Sequence, residues 1–147
     1  CAEFETKYGE EIQKLVEDGT ITLEIRNLTF LDRSSPTAYS ARNAAAAYSV
    51  ANQVSTSNFL NYQREIFSHQ GTGDMNNQQI ADIASKYGAS IGSDMNEDKW
   101  RPLVDVVNAE SASNGIQGTP TVFVDGDQYT SNDFSAFLKS KIEAKKK

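Results

Sequence analysis

The sequence holds one cysteine, one histidine, one tryptophan and three prolines among its 147 residues. It also has no apolar run long enough to span a bilayer. Each shortage excludes something. A single cysteine rules out an internal disulfide. One cysteine with one histidine cannot assemble a zinc site from soft ligands. Without a long apolar run, no stretch reads as a membrane-crossing helix. Basic residues are scarce too: 14 Lys and Arg stand against 20 Asp and Glu, a net charge of −6 with pI near 4.8. That balance argues against a nucleic-acid partner, which calls for a basic face. The one basic cluster, Lys145-Lys146-Lys147, ends a helix and reads as a solvated tail favoured by the helix dipole. There is no glycine-rich phosphate loop and no Gly-x-Ser-x-Gly. Asp94, Glu97 and Asp98 lack the spacing of a calcium loop and read as helix-start acids.

What is present is the composition of a globular domain, 38% hydrophobic and 23% charged, at a length that fits one domain with a real core. Residues 2–18 carry Phe4, Tyr8, Ile12, Leu15 and Val16 on one helical face, and Gly19 ends the pattern. Residues 20–26 alternate, with Ile21, Leu23 and Ile25 opposite Thr22, Glu24 and Arg26, and predict a half-buried or edge strand. After a loop at Leu31–Pro36 comes an Ala-rich helix over residues 36–52. Further helices are expected over 56–69, 77–87 and 97–112, the last with Pro102 near its start, where a helix tolerates it. Ser131 or Asn132 caps a final helix whose inner face carries Phe134, Phe137, Leu138 and Ile142.

The stretch Gly115-Ile116-Gln117-Gly118-Thr119-Pro120-Thr121-Val122-Phe123-Val124-Asp125-Gly126 stands out. Proline can open a strand but not occupy its middle, because it donates no ladder hydrogen bond. Val122 to Val124 therefore read as a short buried strand beginning after Pro120. Asp125-Gly126 reads as a hairpin turn, with residues 127–130 returning. These residues alone leave the isomer of the Thr119–Pro120 bond open. At the other end, Cys1 lies at the first turn of a helix and is followed by Phe4-Glu5.

Cys1, Phe4 and Glu5, together with Gly115 to Thr121, resemble the DsbA-like branch of the thioredoxin superfamily. There a Cys-x-x-Cys pair opens the first helix and its second cysteine precedes x-x-Phe-Glu. A Gly-x-x-Gly-Thr-Pro-Thr loop carries a cis-proline. The match is specific at both ends of the chain and loose between them. It implies an α/β, thioredoxin-like core formed by residues 1–35 and 113–147, with an inserted helical subdomain at residues 36–112. It also implies that the central strand and the first cysteine of the motif lie outside this sequence, and that the 147-residue chain alone does not turn over.

On that resemblance Cys1 is the second, resolving cysteine of a thiol-disulfide oxidoreductase that forms or isomerises disulfides in exported proteins. Its place at a helix N-terminus favours the reactive thiolate. Thr119 and Pro120 would pack over the cysteine pair, with the backbone of Thr119 holding a substrate strand. No metal or organic cofactor is implied, since the cysteine pair is itself the redox group. The implied partners are exported proteins with cysteines and a redox protein that restores the active site. The implied location is the cell envelope or beyond. Two other readings exist for Cys1, a small buried apolar residue or a lipid-modified N-terminal cysteine. The alternative function is a redox-silent thioredoxin-fold module that binds extended peptides at the proline loop. His69, near a helix end, reads as a solvated cap rather than a catalytic base.

Overall fold

The computed structural model describes residues 1–146. The element order is α1 (Ala2–Glu17), a 3-10 turn (Phe30–Ser34), α2 (Tyr39–Ala51), α3 (Thr56–Ser68), α4 (Asn77–Lys86), α5 (Gly92–Asn96), α6 (Arg101–Ser113), β1 (Phe123–Val124), β2 (Asp127–Gln128) and α7 (Phe134–Lys145). The architecture is mostly helical, with one two-stranded sheet among the described residues.

The core centres on α2, which packs against α3, α4, α5, α6 and the 3-10 turn. A helix with that many neighbours needs small side chains so that backbones can approach. Ala41, Ala44, Ala45, Ala46 and Ala47 are all buried, and Val50 is fully enclosed. Tyr62 of α3, Ile80 and Ile83 of α4, and Ile91 before α5 close round one side of this helix. Val104 of α6, with Trp100 packed nearby, closes the other.

Polar groups fasten the same cluster. Ser49 Oγ and Trp100 Nε1 both donate to Asp94 Oδ2, at 2.8 and 3.0 Å. Those two bonds, Trp100 foremost, hold the Asp94 carboxyl below its usual range.

Two turns were legible in advance and have a clear backbone cause. Gly19 has φ +80°, and the N–H of Thr20 reaches back to the Leu15 carbonyl at 2.9 Å. That is the glycine-dependent helix stop, in which a left-handed residue satisfies carbonyls the helix leaves open. At the hairpin, Asp125 and Gly126 have φ of 50° and 86°, the turn whose twist matches two antiparallel strands. The pairing sets Phe123 opposite Gln128 and Val124 opposite Asp127. This strand is not buried as its apolar run predicts: Phe123 is 51% exposed, because β2 is the one strand that β1 pairs with among the described residues.

Three further expectations change. Residues 20–26 form no ladder, since among the described residues the one sheet is made by β1 and β2. Side chains hold this segment instead. Arg26 pairs with Glu24 and Glu110, and just beyond it the N–H of Thr29 donates to Asn108 Oδ1 at 3.0 Å. The helix expected over 97–112 starts only at Arg101, since Asp98 takes a left-handed φ of 54°, and the short α5 precedes it. The last helix is capped by Asp133, whose Oδ1 accepts the Ala136 N–H at 3.1 Å, and not by Ser131 or Asn132. Of the terminal lysine cluster, Lys147 lies outside the described residues. Lys145 lies 3.9 Å from Asp125, and Lys146 3.2 Å from Glu143.

Candidate active site

Cys1 occupies the N-cap of α1, and its carbonyl accepts the Glu5 N–H at 3.0 Å, the first bond of the helix. The next N–H, that of Ala2, donates to Gln70 Oε1 at 3.1 Å. The loop after α3 thus ties down the turn that carries the cysteine. Cys1 is half-buried and its thiol is free. No side-chain bond caps the helix start, so the remaining first-turn N–H groups project at the sulfur's end of the helix.

Thr119 and Pro120 are exposed, and the peptide bond between them is cis. The loop begins where Gly115 takes φ +79° and the Ile116 N–H returns to the Ser111 carbonyl at 3.0 Å, ending α6. Thr121 Oγ1 then donates to the Gly118 carbonyl at 2.6 Å. Among the described residues, neither the N–H nor the carbonyl of Thr119 has a hydrogen-bond partner. These groups are open to an incoming extended chain. No hydrogen bond joins Cys1 to Thr119 or Pro120.

An aromatic cluster holds α1 against the hairpin and α7. Phe134, 3% exposed, stands with its ring centre 5.1 Å from Phe4, 5.4 Å from Tyr8 and 5.2 Å from Tyr129. Phe4 lies one turn from Cys1. Tyr129 donates its N–H to the Val122 carbonyl at 2.9 Å, two residues past Pro120. Edge-to-face packing of this kind is directional as well as apolar, so it fixes how the cysteine helix meets the strand leading out of the proline loop.

The sequence reading missed a second set of residues near Cys1. Arg64 of α3 places its Nε 3.4 Å from the Glu5 carboxylate, an ion-pair contact without hydrogen-bond geometry. Its Nη2 donates to Gln13 Oε1 at 2.8 Å. Glu5 and Arg64 line a groove of about 250 Å³ between α1 and α3, together with Ala2, Thr6, Glu10 and Phe67. The available signal was Gly9, a glycine inside a 16-residue helix, where it costs about 1 kcal/mol against alanine. His69 is the C-cap of α3, where its carbonyl accepts from Thr72 Oγ1.

A thiol at a helix start and an exposed cis-proline loop in one chain are the parts that exchange between a protein thiol and a disulfide uses. A protein-family model described as "Thioredoxin" matches residues 1–144. The chain belongs to that family. Within it, the chain is similar to DsbA of Mycobacterium tuberculosis, at 28% identity and a TM-score of 0.82, covering 97% of this chain and 75% of that one. It is similar to the disulfide bond oxidoreductase DsbG of the same organism, also at 28% identity and 0.82, covering 97% of this chain and 71% of that one. MdbA, a thiol-disulfide oxidoreductase of Corynebacterium diphtheriae, aligns at 25% identity and 0.78, covering 96% of this chain and 76% of that one. No protein of curated function matches the chain by sequence. The chain therefore has the fold of the DsbA-like thiol-disulfide oxidoreductases. Among the described residues, no helix is long and apolar enough to cross a membrane.

Proposed function

We propose that this protein is a DsbA-like oxidoreductase that forms or isomerises disulfides in exported proteins, with Cys1 as the second cysteine of a Cys-x-x-Cys pair. The observation that carries the reading is Cys1 at the start of α1 in a chain whose other end presents the cis Thr119–Pro120 loop. In the oxidative direction a substrate thiolate attacks the first cysteine's sulfur, and Cys1 leaves as thiolate. A second substrate thiolate then attacks the mixed disulfide and expels the first cysteine. The substrate loses two electrons and two protons, and the pair gains them. In the reverse direction the Cys1 thiolate resolves the mixed disulfide.

Thr119 and Pro120 form the substrate-binding edge in this reading, using the unbonded Thr119 backbone. Residues 1–35 and 113–147 make the core. Residues 36–112 make an inserted helical subdomain, consistent with the absence of strands there. The partners are exported proteins with cysteines and a redox protein that restores the pair. The site of action is outside the cytoplasm, in the envelope or beyond.

The test uses a chain with a Cys-x-x segment ahead of Cys1. It should oxidise a reduced test protein or reduce insulin, and replacing the first cysteine should abolish both. Cys1→Ser in that chain should accumulate mixed disulfides, because the attacking sulfur remains and the resolving one is gone. Full turnover by the 147-residue chain, which has one thiol, would overturn the resolving role. One observation also fits a second reading, a redox-silent module that binds extended peptides: among the described residues the Thr119 backbone at the cis-proline loop has no hydrogen-bond partner. Peptide binding without any disulfide exchange by the extended chain would establish that module instead.

A further inference from the structure

We infer that Gly9 and Arg64 act as positioning residues for Cys1, by holding the Glu5 carboxylate turned down α1 and away from the thiol. The inference rests on the reading of Cys1 as a redox thiol. A long side chain in an α-helix ordinarily leans toward the N-terminus, over the preceding turn. For Glu5 that turn is the one formed by Cys1 and Ala2. The Glu5 carboxylate lies instead over Gly9, one turn in the opposite direction. A β-carbon built on Gly9 would stand 2.4 Å from Glu5 Oε1 and 2.8 Å from Glu5 Cδ. Only glycine leaves that space. Arg64, reaching over from α3, sets its Nε 3.4 Å from the same oxygen and offsets the charge.

The consequence for Cys1 is electrostatic. A carboxylate leaning toward the first turn would oppose the partial positive charge that the open N–H groups offer a thiolate. Parked over Gly9 and paired with Arg64, it does not. The remaining charged groups nearby do not take over its role. Glu3 pairs with Lys7 at 3.9 Å, and Glu65 of α3 is engaged by Lys86 at 2.9 Å and by the Tyr87 hydroxyl. Glu10 lines the groove further down α1. His69 caps the end of α3 next to Cys1, one residue before the Gln70 that bonds Ala2, and like the Cys1 α-amino group it is the same in every variant compared, so it does not enter the difference between them. The loop from Gly115 to Thr121 carries no titratable side chain.

Gly9→Ala tests this with little risk to folding. Alanine is the better helix former. After the Glu5 carboxylate, the nearest atom to the added methyl is Arg64 Nε at 3.5 Å, an ordinary contact. The chain has one thiol, so the rate of iodoacetamide alkylation against pH reports on Cys1 alone and needs no turnover. With its carboxylate displaced toward Cys1, Gly9→Ala should move the alkylation midpoint to higher pH. The rate at pH 7 should fall about three- to tenfold, the worth of one charge brought to about 6 Å in largely aqueous surroundings. Thermal unfolding should stay at or above the parent midpoint. Gly9→Ala combined with Glu5→Gln should restore the parent profile. An unchanged profile in folded Gly9→Ala would overturn the inference, as would a shift that survives in the double variant. Neither result bears on whether Cys1 resolves disulfides, which the exchange assay decides separately.

Discussion

Two regions of this protein both carry apolar side chains in a regular pattern, and they pack them very differently. Around α2, alanines, Val50, Tyr62 and Ile80 are shut away from solvent. In the segments that read as strands, Leu23 is 39% and Phe123 51% exposed. The difference lies in what each kind of element needs. A helix satisfies its own backbone and only has to bury a stripe of side chains against another helix. An extended segment needs a neighbour for its hydrogen bonds as well as for its side chains. Residues 20–26 have the alternation of a strand, yet among the described residues they meet helix side chains rather than another edge. Apolar pattern thus turns into a closed core where helices meet helices, and stays open along the segments that read as strands.

Replacing a side chain from each region tests that contrast most strongly. Ile80→Ala, at a fully buried site, should cost about 2–5 kcal/mol. Leu23→Ala should cost under about 1 kcal/mol, because much of that side chain is already hydrated. Urea unfolding of the two variants checks this, and similar losses would break the comparison.

A smaller effect concerns how the central helix begins. Asp32 Oδ1 accepts the Ser40 N–H at 2.7 Å, and Oδ2 the Ala41 N–H at 3.2 Å. This carboxylate caps α2 from within the 3-10 turn, while Ala38 at the N-cap position has a left-handed φ of 52°. Asp32→Ala should lower stability by about 0.5–2 kcal/mol, with Asp32→Asn recovering part of it. No loss in the alanine variant would mean that water caps the helix equally well.

The smallest effect is a pH dependence at Asp94. Its folded carboxyl is held low by Trp100 and Ser49, so the folded state binds a proton there less readily than the unfolded chain does. The resulting stability is complete above the ordinary carboxylate range and is lost as pH falls through the folded value. Asp94→Asn should flatten the acid side of the stability profile, as measured by unfolding midpoints from pH 7 down to about pH 3. A profile as steep as the parent's would assign the acid sensitivity to other carboxylates.

The sequence by itself determined the elements whose causes are local. Apolar spacing marks the helices, Gly19 and Asp125-Gly126 mark a helix stop and a hairpin turn, and Pro120 marks a strand start. The Cys1–Phe4–Glu5 and Gly115–Thr121 motifs were enough to point to the family. The tertiary structure alone decided what depends on residues far apart in the chain. Asp32 caps α2 in place of a neighbouring side chain. Phe134 joins Phe4, Tyr8 and Tyr129, and Arg64 reaches Glu5 over Gly9. Residues 20–26 remain without a ladder for the same reason. A helix or a tight turn closes its hydrogen bonds within a few residues, so its signal is written locally. An ion pair, a remote cap or a strand ladder requires a partner whose position only the folded chain supplies.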